Sequence, residues 1–180
     1  MIEIIAVDHL QTDNMRLMTE LAELWLEAFP GYACEPLAEL RQCLQDDRLA
    51  FAALDDQCAA GFVGAIPQYG VTGWELHPLM IGKPYQGRGL GTQLLQLMEE
   101  AVRAKGGITL YLGTDDTDGL TSLAFEDLYA NTFEKIRDIQ TLTPERHPYE
   151  FYLKNGYTIT GVTPDANGIG KPDIWMAKRL

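Results

Sequence analysis

The chain predicts an α+β fold, with a mixed, mostly antiparallel central sheet of about seven strands flanked by helices. Three observations point there. Short apolar runs are separated by turn residues, most clearly between Leu49 and Ile66. Two longer segments, Leu17 to Ala28 and Leu90 to Val102, repeat apolar residues at helical spacing. Between Trp74 and Leu112 a strand, a helix and another strand follow in turn, the pattern of one βαβ crossover.

Taken in order, Ile2 to Val7 reads as a strand. Asp13 or Asn14 can cap a helix running to about Ala28, with Leu17, Leu21, Leu24, Trp25 and Ala28 on one face. Pro30-Gly31 stops it. Pro36 suits the first turn of a second helix, with Leu37, Leu40, Cys43 and Leu44 inward. Leu49 to Leu54 and Ala59 to Ile66 form a hairpin around Asp55-Asp56-Gln57. Trp74 to Ile81 is a fourth strand containing Pro78. Proline cannot donate to a central ladder, so a bulge or broken edge is expected, which would part this strand from its neighbour and open a slot. A helix from Gly89 to Lys105 buries Leu90, Leu94, Leu97, Met98, Ala101 and Val102, and Gly106-Gly107 ends it. Ile108 to Leu112 is the fifth strand. Leu120 to Leu142 reads as mostly helical, and Pro148 to Lys154 as a short helix. Tyr157 to Val162 and Asp173 to Ala177 close the sheet around an Asn167-Gly168 turn.

One hundred and eighty residues predict one domain, residues 1–180. No apolar run approaches the roughly 20 residues of a membrane helix. Met1 to Ile5 lacks the basic and long apolar parts of a signal peptide, so a cytoplasmic protein is expected. Cys34, Cys43 and Cys58 are odd in number and include no CxxC pair. Buried reduced thiols are expected, and no metal. The net charge of −12 repels nucleic acid and anionic membranes and attracts cations. It fits simple solubility or a polycationic substrate.

The most telling stretch is Gln86-Gly87-Arg88-Gly89-Leu90-Gly91-Thr92, between the fourth strand and the long helix. A helix start carries unpaired N–H groups and partial positive charge, and Arg88 adds a planar cation. The stretch reads as a seat for a cofactor pyrophosphate, or as a plain tight turn. It is no dinucleotide-binding fingerprint, because Thr92 stands where G-x-G-x-x-G/A needs its last small residue.

Gln86, Gly89 and Gly91 fill the fixed places of the Gln/Arg-x-x-Gly-x-Gly/Ala signature, and the chain resembles the GNAT superfamily of acyl-CoA-dependent N-acetyltransferases. A second signature of that family, Phe-Tyr-x-Lys-x-Gly-Phe/Tyr, appears as Phe151 to Tyr157. A closer similarity is to aminoglycoside 6'-N-acetyltransferases of the enterococcal type. It rests on Gly64 to Gly70, Trp74 to Leu79, Gly106 to Asp116, His147 to Tyr152 and Lys171 to Lys178. It runs from about residue 49 to the end; the first 48 residues match in pattern more than in letters.

This resemblance implies a V-shaped splay between strands four and five, acetyl-CoA as co-substrate, and a homodimer. It implies that the amides from Gln86 through Gly87, Arg88, Gly89, Leu90, Gly91 and Thr92 hold the pyrophosphate. Leu79, Met80 and Ile81 would line the pantetheine arm, with His147 near it. Glu145 stands where many members have an asparagine that bonds the pantetheine. The acceptor would be a cationic aminoglycoside, with a polyamine or other small amine, or a non-catalytic acyl-CoA sensor, as alternatives.

Amine acetylation needs a group to take the ammonium proton, a donor to the thioester carbonyl, and a proton for the departing thiolate. Glu75 is the first candidate for the amine, or is a solvated strand glutamate. His77 shares its face on a regular strand and either relays a proton or is structural. The Leu79 N–H, freed by Pro78, suits the carbonyl. The family places Tyr152 as the acid for the thiolate, against plain core packing. Asp115 and Asp116, with Asp118, Glu126 and Asp127 following, suggest an acidic rim for the acceptor, though each alone reads as a solvated acid. By family analogy Tyr69 and Trp25 offer apolar faces to sugar rings; for Trp25, core packing fits better. No Ser-His-Asp or Cys-His set is evident, which fits direct transfer in a ternary complex.

Overall fold

The computed structural model describes residues 1–30 and 35–180. The expected stop at Gly31 and the thiol of Cys34 lie outside the described residues. Seven strands form one sheet in the order β1-β2-β3-β4-β5-β7-β6. The chain divides into two compact units, Met1–Leu110 with Leu180, and Tyr111–Arg179.

In the first unit β1 (Ile2–Ala6) pairs antiparallel with β2 (Leu49–Asp55), β2 with β3 (Cys58–Tyr69), and β3 with β4 (Gly73–Ile81). The β2–β3 turn forms as expected, with Asp56 and Gln57 both at positive φ. Strand β3 runs past the expected Ile66. Helix α1 (Met15–Ala28) starts where Asn14 accepts the Leu17 amide, one of the two caps expected. A short 3-10 turn at His9–Asp13, held by a capping box on Asp8, was not anticipated. Helix α2 (Pro36–Cys43) carries its proline in the first turn. Leu21, Met18 and Trp25 of α1, Leu40 and Leu44, and Phe62 and Met80 of the sheet make one core. Each such aliphatic side chain contributes about 1.5–3 kcal/mol by leaving water.

Cys43 is buried in that core, and burial pushes its thiol up to about 12, so it is no nucleophile. Cys58 is exposed, contrary to the expectation of buried thiols, because it opens β3 at the hairpin.

Helix α3 (Leu90–Ala104) links β4 to β5 (Thr109–Asp115), whose first two residues belong to the first unit. Its buried residues are Leu90, Leu94, Leu95, Met98, Glu99 and Val102. Leu95 replaces Leu97 and Ala101, which are only half-buried.

The second unit holds the rest of β5, α4 (Thr132–Arg137), α5 (Tyr149–Lys154) and the antiparallel pair β6 (Thr158–Thr163) and β7 (Asp173–Arg179). The long helix expected over 120–142 is corrected: only α4 is helical there. Phe125 and Asn131 adopt positive φ, which a helix excludes, and Thr121 bridges Thr141. Residues 164–172 join β6 to β7 and turn through Asn167-Gly168 as expected, with Gly168 at φ +116°. No helix among the described residues is long and apolar enough to cross a membrane.

Candidate active site

Strand β4 carries the expected bulge. Val63 pairs with Leu79 and Ala65 with Leu76, so Gly64 alone faces both His77 and Pro78. A Cβ on Gly64 would lie 2.5 Å from the His77 carbonyl oxygen, so only glycine fits opposite the bulge. The His77–Pro78 peptide is cis.

The extra residue changes which side chains share a face. Before the bulge Trp74 points toward the end of α3, beside Val102. After it Ile81 points that way, toward Leu94, while Met80 enters the core with α1. Glu75 and His77 therefore share the α1 face, as the sequence parity implied. His77 meets Trp25 edge-on, with ring centroids 5.8 Å apart.

Glu75 is half-buried, and Gln68 Nε2 donates to its Oε2 at 2.7 Å. His77 is exposed, yet the protein packed around its inner edge lowers its pKa. Glu75 and Glu39 oppose that lowering, and Arg48 adds to it. The ring is thus neutral at pH 7 and able to accept a proton. Leu79, the first residue past the bulge, is half-buried. Tyr69 is 71% exposed and its ring lies against Gly73. Trp25 is 2% exposed, packed on Phe29 and His77, so it is a core residue rather than a surface face for a sugar.

Beyond β4, the Gln86 amide nitrogen reaches back to the Ile81 carbonyl at 2.9 Å, tying the turn to the strand end. Gly87 and Gly89 sit at φ +70° and +86°, where other residues are strained. Gly89 is the N-cap of α3, and no side chain caps the amides of its first turn. A Cβ on Gly87 or Gly89 would meet nothing within 4 Å, so that backbone face is open. Arg88 is exposed beside it; Leu90 buries its side chain and anchors the helix. The turn has the donors, the helix end and the cation that a diphosphate needs.

In the second unit Asp116 is only 1% exposed. Its carboxylate accepts from the Leu120 amide (2.7 Å), the Thr121 amide (2.9 Å) and the Thr121 hydroxyl (2.7 Å). This corrects its expected place on an acidic rim: it folds the loop after β5. Asp115 is exposed and accepts a hydrogen bond from Asn167. Asp118, Glu126 and Asp127 are exposed as well.

His147, expected near the cofactor, is buried with both ring nitrogens engaged. Nδ1 accepts from the Tyr149 amide at 3.2 Å, so Nε2 carries the proton and donates to the Asp115 carbonyl at 3.0 Å. Burial lowers its pKa, outweighing the Asp115 carbonyl bond and the nearby acids. The neutral ring joins the end of β5 to the start of α5, which leaves no nitrogen for a ligand. Tyr152 is buried edge-on to Phe151 (5.1 Å) and Tyr157 (5.6 Å), and burial raises its hydroxyl above the usual phenol value. It stays protonated throughout the neutral range.

Sequence reasoning missed Gln68 and Arg48. Gln68 had a signal, because it lies two residues past Ile66, the cross-strand partner of Glu75. Arg48 follows a loop and had none.

Residues 17–126 match the Acetyltransferase (GNAT) family. The chain belongs to the GNAT acetyltransferase family. It is 45% identical to an aminoglycoside 6'-N-acetyltransferase solved with coenzyme A, covering 99% of this chain and 96% of that one, with a TM-score of 0.89. It is 46% identical to the aminoglycoside 6'-N-acetyltransferase from Enterococcus faecium, covering 98% and 96%, with a TM-score of 0.88. An aminoglycoside 6'-acetyltransferase of type Ii is 40% identical over 98% and 96%, at a TM-score of 0.75. No curated protein matches the chain. The seven-stranded mixed sheet is the GNAT fold, as the two signatures implied.

Proposed function

We propose that this chain transfers the acetyl group of acetyl-CoA to the 6'-amino group of aminoglycosides, directly in a ternary complex. The observation that carries the reading is Glu75: a half-buried carboxylate on a bulged strand, with one oxygen held by Gln68. The identity of about 45% over nearly the whole chain to aminoglycoside 6'-N-acetyltransferases supports the acceptor class.

The amides from Gln86 to Thr92 and the Arg88 guanidinium hold the diphosphate, and the backbone of Leu79, Met80 and Ile81 holds the pantetheine arm. Glu75 takes the ammonium proton, directly or through water, with neutral His77 as relay. The amine nitrogen then forms its bond to the thioester carbon. The Leu79 N–H stabilises the negative charge that develops on oxygen. The C–S bond breaks as the Tyr152 hydroxyl gives its proton to the departing thiolate, and the surplus proton on the new amide nitrogen replaces it on the tyrosine oxygen, so that the neutral amide and the free thiol of coenzyme A leave. Asp115 attracts the acceptor's other ammonium groups, and the exposed Tyr69 ring offers it an apolar face. Acetylation removes a charge and a donor that the drug uses on ribosomal RNA, so resistance follows.

Both units act as one cytoplasmic catalytic domain, residues 1–180, paired as a homodimer. Phe125, Tyr129 and Phe133, exposed in the second unit, favour such pairing.

A thiol-release assay with acetyl-CoA against kanamycin, spermidine and no acceptor tests the reading. Turnover with kanamycin well above both others supports it. Turnover with spermidine alone overturns the acceptor, and tight acetyl-CoA binding with no turnover on any amine makes the chain a sensor.

A further inference from the structure

We infer that Gln68 is a positioning residue for Glu75, aimed by a second bulge at the far end of the β3–β4 ladder. The inference rests on the reading of Glu75 as the group that takes the amine proton. The register carries it. Ile66 pairs with Glu75 and Pro67 with Trp74, but the next pair is Tyr69 with Gly73. Gln68 is the extra residue, opposite nothing, and an extra residue in a bulge has its side chain re-aimed. Here the re-aimed amide sits 2.7 Å from Glu75 Oε2.

Two further features support the arrangement. Among the described residues no donor reaches Glu75 Oε1, so the exposed Gln68 amide holds one oxygen and leaves the other to meet an acceptor. The terminal torsion of a glutamate is broad and nearly two-fold, and a single donor on one oxygen removes that freedom. The chemical type of the donor also matters. An arginine or lysine there would orient the carboxylate but neutralise the charge that draws in an ammonium; an uncharged amide orients it and leaves the charge. Gly73 completes the bulge, since a Cβ there would lie 2.9 Å from the Tyr69 ring. Tyr69 thus packs down on the strand beside Gln68.

The test is a double-mutant cycle on kcat and KM, using Gln68→Leu, Glu75→Gln and the pair. Gln68→Leu should lower kcat about tenfold, because a loosened catalytic group loses its attack geometry. Its KM for acetyl-CoA should stay within about twofold of the unmutated protein, and in the Glu75→Gln background the leucine should add less than about twofold. If Gln68→Leu folds poorly by its melting curve, Gln68→Asn replaces it, since the amide one methylene shorter falls short of Oε2. Gln68→Leu or Gln68→Asn turning over at the normal rate while Glu75→Gln is slow overturns the inference. So does a full tenfold loss repeated without the Glu75 carboxylate. If Glu75→Gln itself turns over normally, the reading beneath it fails, and that result is distinct from the other two.

Discussion

Glu75 on β4 and Asp116 after β5 are both acids at strands that the sequence marks for chemistry, and the structure treats them in opposite ways. Glu75 is half-buried with one amide on one oxygen. Asp116 is 1% exposed with three donors from its own loop. The histidines divide likewise: His77 keeps an open edge, while His147 has both nitrogens tied inside the protein. A site residue differs from a structural one of the same type in the bonding capacity it has left. That capacity depends on which neighbours fold onto it.

The sharpest way to break this contrast is to exchange the effects. Glu75→Gln should lower kcat by about 10²–10³ with an unchanged melting temperature, the scale of losing a general base. Asp116→Ala should do the reverse. It strands the Leu120 and Thr121 donors and should cost about 2–4 kcal/mol of unfolding free energy, read by urea denaturation, with kcat largely retained at low temperature. A kcat loss without a stability loss in Asp116→Ala would return that acid to the site. Arg88→Ala should raise KM for acetyl-CoA about tenfold and leave kcat near its original value, as removal of one charged contact to a diphosphate does.

The smallest effect concerns pH. The folded-state pKa of His147 lies below the ordinary value of 6.5, so the unfolded chain binds a proton that the folded one resists. Its stabilising contribution is complete above that value and is lost as pH falls below it. The melting temperature should fall by a few degrees from about pH 6.5 to about pH 5, and His147→Gln should flatten part of that slope.

The features legible in the sequence are those decided within a few residues. The Asn14 cap, the Asp56-Gln57 turn, the Pro78 bulge and the Gly87 and Gly89 turn all follow from local backbone chemistry. Residues 120–142 were not legible. Their apolar spacing suggests a helix, but Asp116 takes the amides of Leu120 and Thr121, and Phe125 docks its amide on the Gly170 carbonyl. Such contacts reach from outside the window that periodicity samples. The burial of His147 was not legible for the same reason, since it is set by partners distant in sequence such as Asp115, whereas Trp25 is the core residue that the sequence favoured. The bulge was expected at Pro78, whereas the second one, at Gln68, was not read although Pro67 stands immediately before it.

The most direct test is a single turnover by Glu75→Gln with acetyl-CoA already bound, mixed rapidly with excess kanamycin and followed by thiol release. The account predicts a transfer step slowed by about 10²–10³ while the Kd for acetyl-CoA stays unchanged. A transfer step at the unmutated rate would contradict it and remove Glu75 from the chemistry.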